Sequence, residues 1–172
     1  MQKSSQQKLT KEILNLAKSI TAILKKALGN NLISSCLFGS SVTGLIKRGS
    51  DIDILLVLNS LPTSYHKRTK MILPFLERIR ETNQYSTIER LNLNIEPSFL
   101  ILSAHEIKKH PAILIDISQE GIILFDKNDF LKIQLDDIKD KLQKSGAVKK
   151  HVPEGYYWVL KPGIKAGELF EL

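Results

Sequence analysis

Two aspartates with one residue between them are the groups in this sequence best suited to chemistry. Asp51 and Asp53 open an apolar run over residues 54–58 that is typical of a strand buried on both faces. Side chains two apart on a strand point to the same face, so the two carboxylates would lie side by side. Unpaired like charges are costly on a buried strand, and a divalent cation bound by both would remove that cost. Carboxylates and phosphates are ligands that suit Mg²⁺.

A Gly-Ser turn precedes the acidic pair. Gly39, Ser40 and Ser41 follow a short apolar segment over residues 33–38, and ten residues separate Ser40 from Asp51. A glycine that leaves a strand lets the backbone approach a phosphate closely. If the chain turns into a helix at Ser41, the unpaired N–H groups of that turn face the same phosphates. The turn and the carboxylates together would supply the positioning and charge neutralisation that phosphoryl transfer needs.

The combined motif resembles the signature of the DNA polymerase β-like nucleotidyltransferase superfamily. That signature is a hydrophobic residue, Gly and Ser, a spacer of similar length, and then Asp-hydrophobic-Asp-hydrophobic. In this sequence it reads Leu37-Phe38-Gly39-Ser40, followed by Asp51-Ile52-Asp53-Ile54. The resemblance covers residues 33–58 strongly and about 1–126 in general layout. It is greatest to small stand-alone prokaryotic nucleotidyltransferase-domain proteins.

The resemblance implies a reaction and a role for each residue. An enzyme of this kind transfers a nucleoside monophosphate from a nucleoside triphosphate to a hydroxyl acceptor and releases pyrophosphate. Asp51 and Asp53 would bind two Mg²⁺ ions, and Gly39 and Ser40 would contact the triphosphate. The family also has a third carboxylate on a later strand, as a metal ligand or as the base for the acceptor hydroxyl. Glu96 is the candidate for this catalytic and metal-binding role.

Other candidate contacts are less specific. Pro97 follows Glu96, where the family usually has an apolar residue, and it favours an edge strand or a bulge. Lys47 and Arg48 precede the acidic pair and are candidate phosphate contacts, with a solvated loop as the alternative. Ser41 is a candidate nucleotide contact by its place in the turn.

Composition is that of a soluble globular protein and favours an anionic partner. The 172 residues include 25 Lys and Arg against 18 Asp and Glu, which gives a net charge of +7. A basic chain attracts nucleotides, nucleic acid or acidic partners. The single cysteine, Cys36, excludes an internal disulfide. No apolar run reaches the ~20 residues of a membrane span, and we expect a cytoplasmic protein without a membrane partner.

Hydrophobic periodicity predicts alternating helices and strands. Helices are predicted over 8–28 with Thr10 as N-cap, 65–81 with a bend at Pro74, a short one capped at Ser103, 111–120 and 128–145; strands over 33–38, 51–58, 92–102 and 122–125. With a βαβ-like start, they predict an α/β or α+β fold, a nucleotidyltransferase-type mixed sheet flanked by helices. Residues 1–126 would form the nucleotidyltransferase domain, and 127–172 a C-terminal helix and extended tail docked on it.

Several alternatives stay open. The acceptor could be a protein, an RNA end or a small molecule, including a toxin partner modified by an antitoxin-like protein. A second hypothesis keeps the fold but binds nucleotide or nucleic acid without turnover. In the tail, Tyr156, Tyr157 and Trp158 either stack on bases or anchor the tail to the core.

Overall fold

A four-stranded mixed sheet with helices on both faces forms the centre of the molecule. The computed structural model describes residues 2–44, 46–153 and 155–164. Its elements are α1 Gln2–Leu28, a 3-10 turn Gly29–Asn31, β1 Leu32–Phe38, α2 Ser40–Thr43, β2 Asp51–Leu58, α3 Tyr65–Arg80, α4 Asn83–Glu89, β3 Glu96–Ser103, α5 Ala104–Ile107, α6 Ile113–Glu120, β4 Ile122–Asp126, α7 Phe130–Ser145, β5 Val148–Val152 and β6 Gly155–Val159.

The strand order β3-β2-β1-β4 places the acidic strand at the centre. β1 is antiparallel to both β2 and β4, whereas β2 and β3 are parallel. A βαβ-like start was the wrong expectation, because α2 has four residues and a parallel crossover needs a dozen or more. The predicted mixed sheet flanked by helices is confirmed. Pro97 lies in β3, an edge strand, as expected.

β2 is buried on both faces, as its continuous apolar sequence predicts. Ile52, Ile54, Leu56 and Leu58 belong to one core cluster with apolar residues of α1, α3 and α4. Leu55 and Val57 point the other way and pack in a second cluster with residues of α5, α6 and α7. All residues from Ile54 to Leu58 have no exposed surface. This buried strand holds the two aspartates at its N-terminal end.

Several predicted boundaries differ from the structure for local reasons. Thr10 lies inside α1, where its Oγ1 donates to the Gln6 carbonyl at 3.0 Å, so it is not an N-cap. β3 begins at Glu96 instead of residue 92, because Asn92 and Asn94 have φ values of 52° and 50° that a strand cannot contain. The helix α4 was not predicted. α6 and α7 each begin two residues later than expected.

Other local predictions are confirmed. Ser103 and Glu106 form the expected capping box at the start of α5. Gly146 ends α7 with a φ of 69°. Gly121 follows α6 for a different reason, since a Cβ there would lie 2.6 Å from the Ile117 carbonyl and 2.9 Å from the Cys36 Sγ.

The C-terminal tail forms a hairpin that docks on α6. β5 and β6 pair antiparallel and make a separate two-stranded sheet. Trp158 donates from Nε1 to Asp116 Oδ1 at 3.0 Å, and Lys149 Nζ lies 3.3 Å from Glu120 Oε1. The sequence predicts a strand or an extended arm here, and the described part of the tail forms two paired strands. Residues 165–172 lie outside the described residues.

Candidate active site

The two aspartates occupy one face at the start of β2. Alternation along the strand places Asp51 and Asp53 on the same face as Leu55 and Val57, which is the face covered by α6 and α7. Asp51 is exposed and Asp53 is half-buried. Burial, and then the charge of Asp51, raise the pKa of Asp53, while a hydrogen bond from Ser98 lowers it. The pair therefore carries an electrostatic cost that a bound cation would relieve.

The Gly39 turn is in contact with this pair. The β1–β2 register sets Phe38 opposite Asp53, so the next residue, Gly39, passes directly over the carboxylate. A Cβ at Gly39 would lie 2.5 Å from Asp53 Oδ2. Its φ of 72° and ψ of −151° also belong to a region that is essentially restricted to glycine. Glycine is required here for two independent reasons, and both keep the backbone close to the acid.

Ser40 and Ser41 start α2 with different surroundings. The Gly39 carbonyl accepts from the N–H of Val42 at 3.1 Å, which turns the chain into the short helix. Ser40 is half-buried beside the turn. Ser41 is buried, and its Oγ donates to the Asp51 carbonyl at 3.2 Å. The Ser41 hydroxyl thus ties the turn to β2, and a nucleotide contact from this residue would have to come from its backbone.

Lys47 and Arg48 lie with exposed side chains in the loop that leads into Asp51. The Lys47 N–H donates to Ser50 Oγ at 2.9 Å. The Gly49 N–H donates to the Leu93 carbonyl at 2.7 Å. These bonds hold the loop against the segment before β3, so the two cations stand near the acidic end of the sheet.

Glu96 has its backbone beside the pair but its carboxylate turned to helices α3 and α4. The parallel register sets Glu96 opposite Asp51. The Tyr85 hydroxyl donates to Glu96 Oε1 at 2.7 Å, and Arg80 Nη2 lies 3.7 Å from Oε2. Burial, and then the hydrogen bond to Glu96, raise the pKa of Tyr85. Within residues 2–44, 46–153 and 155–164, no three His, Cys, Asp or Glu side chains form a group that could hold a metal.

Sequence reasoning missed three residues of this region. Ser98 lies opposite Asp53 in the register and hydrogen-bonds it, while Tyr85 and Arg80 hold Glu96. Ser98 could have been found, because it lies two residues after Glu96 and so shares its face of the strand. Tyr85 could not, because its helix α4 was not predicted, and Arg80, at the end of the predicted helix α3, meets Glu96 only through tertiary packing.

The donor set fits a magnesium ion in part. Asp51 and Asp53 offer carboxylate oxygens from one face of β2. Because residue 39 is a glycine, no side chain fills the space beside Asp53 Oδ2. Mg²⁺ is commonly bound through one or two carboxylates together with substrate phosphates. This pair is sufficient for that mode of binding, whereas an all-protein cage would need more ligands.

Comparison with known proteins assigns the family. Residues 1–121 match the family model described as the poly(A) RNA polymerase, mitochondrial-like, central palm domain. The match spans well over half of the chain, and the protein belongs to this family of polymerase β-like nucleotidyltransferase palm domains. It is therefore a nucleotidyltransferase, acting on a nucleoside triphosphate. The resemblance inferred from the Gly-Ser and Asp-x-Asp motif is confirmed.

Individual relatives are distant. A putative protein adenylyltransferase of Methanocaldococcus jannaschii, MJ1305, is 27% identical over 120 residues, which are 70% of this chain and 76% of that protein. A chain in the crystal structure of a toxin–antitoxin complex with AMP-PNP aligns at a TM-score of 0.47 and 14% identity, covering 74% of this chain and 87% of that one. A chain in a complex of a tri-AMPylated HEPN toxin from Shewanella oneidensis with an MNT antitoxin aligns at 0.44 and 13% identity, covering 76% and 87%.

Among the described residues, no helix is both long enough and apolar enough to cross a membrane.

Proposed function

We propose that the protein transfers a nucleoside monophosphate from a nucleoside triphosphate to a protein hydroxyl, with Mg²⁺ held by Asp51 and Asp53. The acceptor oxygen forms the new bond to the α-phosphorus, and pyrophosphate is the leaving group; Asp51 and Asp53 would hold the two Mg²⁺ ions expected for this reaction. The metal that Asp51 and Asp53 would hold would supply charge neutralisation for the reacting phosphates. Gly39 and Ser40 bind the triphosphate, with further contacts from Ser41, Lys47 and Arg48.

The observation that carries this proposal is the contact between the glycine turn and the acid. Gly39 lies so close to Asp53 that a Cβ would stand 2.5 Å from its Oδ2. A phosphate bound along the Gly39–Ser40 backbone would thus be within reach of a cation on Asp53. Transfer of a phosphoryl group depends mainly on such positioning and charge neutralisation.

Glu96 is proposed as the third carboxylate of the site. Its support is the register, which sets its backbone opposite Asp51 on the neighbouring strand. Tyr85 and Arg80 now hold its carboxylate, which would turn from them towards Asp51 when the substrates bind. As a base for the acceptor hydroxyl it would contribute about a hundred- to ten-thousand-fold to the rate.

A protein acceptor is supported by the relative MJ1305, whose name is putative protein adenylyltransferase. The basic charge of the chain, +7, suits both the nucleotide and an acidic surface on the acceptor. We therefore place a protein hydroxyl ahead of an RNA end or a small molecule.

A transfer assay tests the proposal. The protein is incubated with Mg²⁺, ATP labelled at the α-phosphate and an extract of its source cells. The label in each protein band is then measured after gel electrophoresis. Labelling should require Mg²⁺, should be abolished in Asp53→Asn and should fall strongly in Glu96→Gln. Label in nucleic acid or small molecules alone would refute the protein acceptor, and equal labelling by Asp53→Asn would refute the site.

A further inference from the structure

A cavity of about 570 Å³ adjoins the Gly39 turn on the side away from β3. Its walls are the turn at Phe38 to Ser40, one face of α6, and the hairpin β5–β6. The volume is within the usual range for small-molecule sites, about 300–1,000 Å³. Another cavity, of about 640 Å³, is lined by Asn30, Asn59 and Lys127 and contains none of the predicted site residues. Only the first of these two adjoins the phosphate-binding turn.

We propose that this cavity binds the base of the nucleoside triphosphate, so that the C-terminal hairpin selects the nucleotide. The inference rests on the proposed function, because it takes the triphosphate to lie at Gly39 and Ser40. The lining of the cavity includes Gly39 and Ser40, so a base that extends from phosphates bound at this turn can enter it. The hairpin starts at residue 148, beyond the 1–121 segment that matches the family, so this wall is outside the shared palm domain.

The lining of the cavity suits a flat, uncharged ring. Ile113, Ile117 and Val152 provide apolar surface, and Tyr156 lines the cavity while keeping 45% of its surface exposed. Lys149 Nζ lies 3.8 Å from the centre of the Tyr156 ring, which orients that ring. Aromatic side chains bind bases of any sequence by stacking.

The lining holds charged groups of both signs, the carboxylates of Asp116 and Glu120 and the ammonium of Lys149, which is paired with Glu120. Asp116 and Glu120 project from α6 into its lining. Asp116 already accepts from Trp158 and is hydrogen-bonded to Tyr156, and Glu120 accepts from Lys149, but a carboxylate can accept about four hydrogen bonds. The two carboxylates can accept from the amino group of adenine, guanine or cytosine. Uracil has no such group, so ATP should bind more tightly than UTP.

Two neighbouring tyrosines provide a matched test. Tyr156 lines the cavity, whereas Tyr157 points to the other side of the hairpin and is 50% exposed. We would titrate wild type, Tyr156→Ala, Tyr156→Phe and Tyr157→Ala with non-hydrolysable ATP and UTP analogues and with inorganic triphosphate, all in Mg²⁺. Melting curves would confirm that each variant is folded.

The inference expects a selective loss. Tyr156→Ala should bind the ATP analogue about tenfold more weakly, the size of one lost stacking contact, with inorganic triphosphate unaffected. Tyr157→Ala should bind both as wild type does, and Tyr156→Phe, which keeps the stacking ring, should recover most of the ATP affinity that Tyr156→Ala loses. Unchanged ATP affinity in Tyr156→Ala, or equal affinity of wild type for the ATP and UTP analogues, would overturn the base site. If wild type binds no triphosphate at all, the proposed function fails first.

Discussion

Asp53 should lower the stability of the protein in the absence of metal. Its pKa is raised in the folded chain, by burial first and by Asp51 second, so its ionised form favours the unfolded chain. At a pH below 3.8, the ordinary pKa of an aspartate, Asp53 is protonated and the folded chain keeps its full stability. That stability is lost as the pH rises through the higher pKa of Asp53 in the folded chain. Asp53→Asn should therefore melt higher than wild type at neutral pH with EDTA present.

The difference should disappear in acid, where both proteins carry a neutral side chain at this position. Asp140→Asn, an exposed change on α7, serves as the control for a lost charge. Scanning calorimetry over a range of pH measures both. A lower melting temperature of Asp53→Asn at neutral pH would contradict the electrostatic cost that makes this position suited to a cation.

A comparison of alanine variants at Gly39 and Gly44 distinguishes the effect of backbone strain from the effect of contact with Asp53. Both have positive φ, 72° and 74°, but a Cβ at Gly44 has no neighbour within 4 Å. Alanine at either position should cost about 1–3 kcal/mol of stability. Only Gly39→Ala would also push on Asp53, and a misplacement of about 1 Å can reduce turnover by a hundredfold. Kinetics of nucleotidyl transfer would check this, and equal activity in the two variants would contradict the contact.

At the scale of elements, Arg68 of α3 binds both β3 and α5, the latter through an ion pair with Glu106. Arg68 and Glu106 are joined by two bonds of 2.9 and 3.0 Å, and Arg68 also donates to the Ile101 carbonyl in β3. The Arg68 bonds hold the pKa of Glu106 at about 2, below the ordinary value of 4.5. Since β3 carries Ser98 and Glu96, this pair positions one side of the site.

Glu106→Gln should reduce stability by about 1–2 kcal/mol at neutral pH, because the pair is partly exposed to solvent. Its stabilisation is present above 4.5 and is lost as the pH falls towards 2, so wild type and variant should converge in acid. Urea denaturation at several pH values measures this, with Glu77→Gln, an exposed change on α3, as the control. A constant difference across pH would show that packing, not charge, is responsible.

The sequence predicts an element well when its pattern is local, and poorly when the element depends on residues far away along the chain. β2 was predicted well because its apolar run and its acidic pair are local patterns. The Gly-Ser turn was found for the same reason. The partners of Glu96 and the docking of Trp158 on Asp116, 42 residues away, depend on tertiary contacts that no local pattern encodes. Sequence reasoning thus located the acids and their phosphate turn but not the surroundings that orient them.

At the scale of the whole molecule, α7 belongs to the same core as β2. Its four buried residues, Leu131, Leu135, Ile138 and Leu142, pack in the cluster that contains Leu55 and Val57. Burial of four such side chains contributes roughly 6–12 kcal/mol, which is similar to the total stability of a domain. The boundary predicted at residue 126 stays a prediction, and this packing gives it a direct test.

A chain that ends at residue 126 should fail to fold, whereas one that ends at 146 should unfold cooperatively. The first exposes the second core cluster, and the second lacks only the hairpin and the residues after it. Circular dichroism and thermal melting of the two chains measure the outcome. A cooperative transition in the 1–126 chain would show that α7 is an appendage and would confirm the shorter domain.

A crystal structure with Mn²⁺ and a non-hydrolysable ATP analogue tests the central claim most directly. Anomalous scattering locates the metal independently of the phosphates. The predicted result is a metal peak at the carboxylates of Asp51 and Asp53, with the triphosphate along Gly39 and Ser40. A metal and triphosphate bound elsewhere, with both aspartates free of contact, would contradict the assignment of this pair as the metal site.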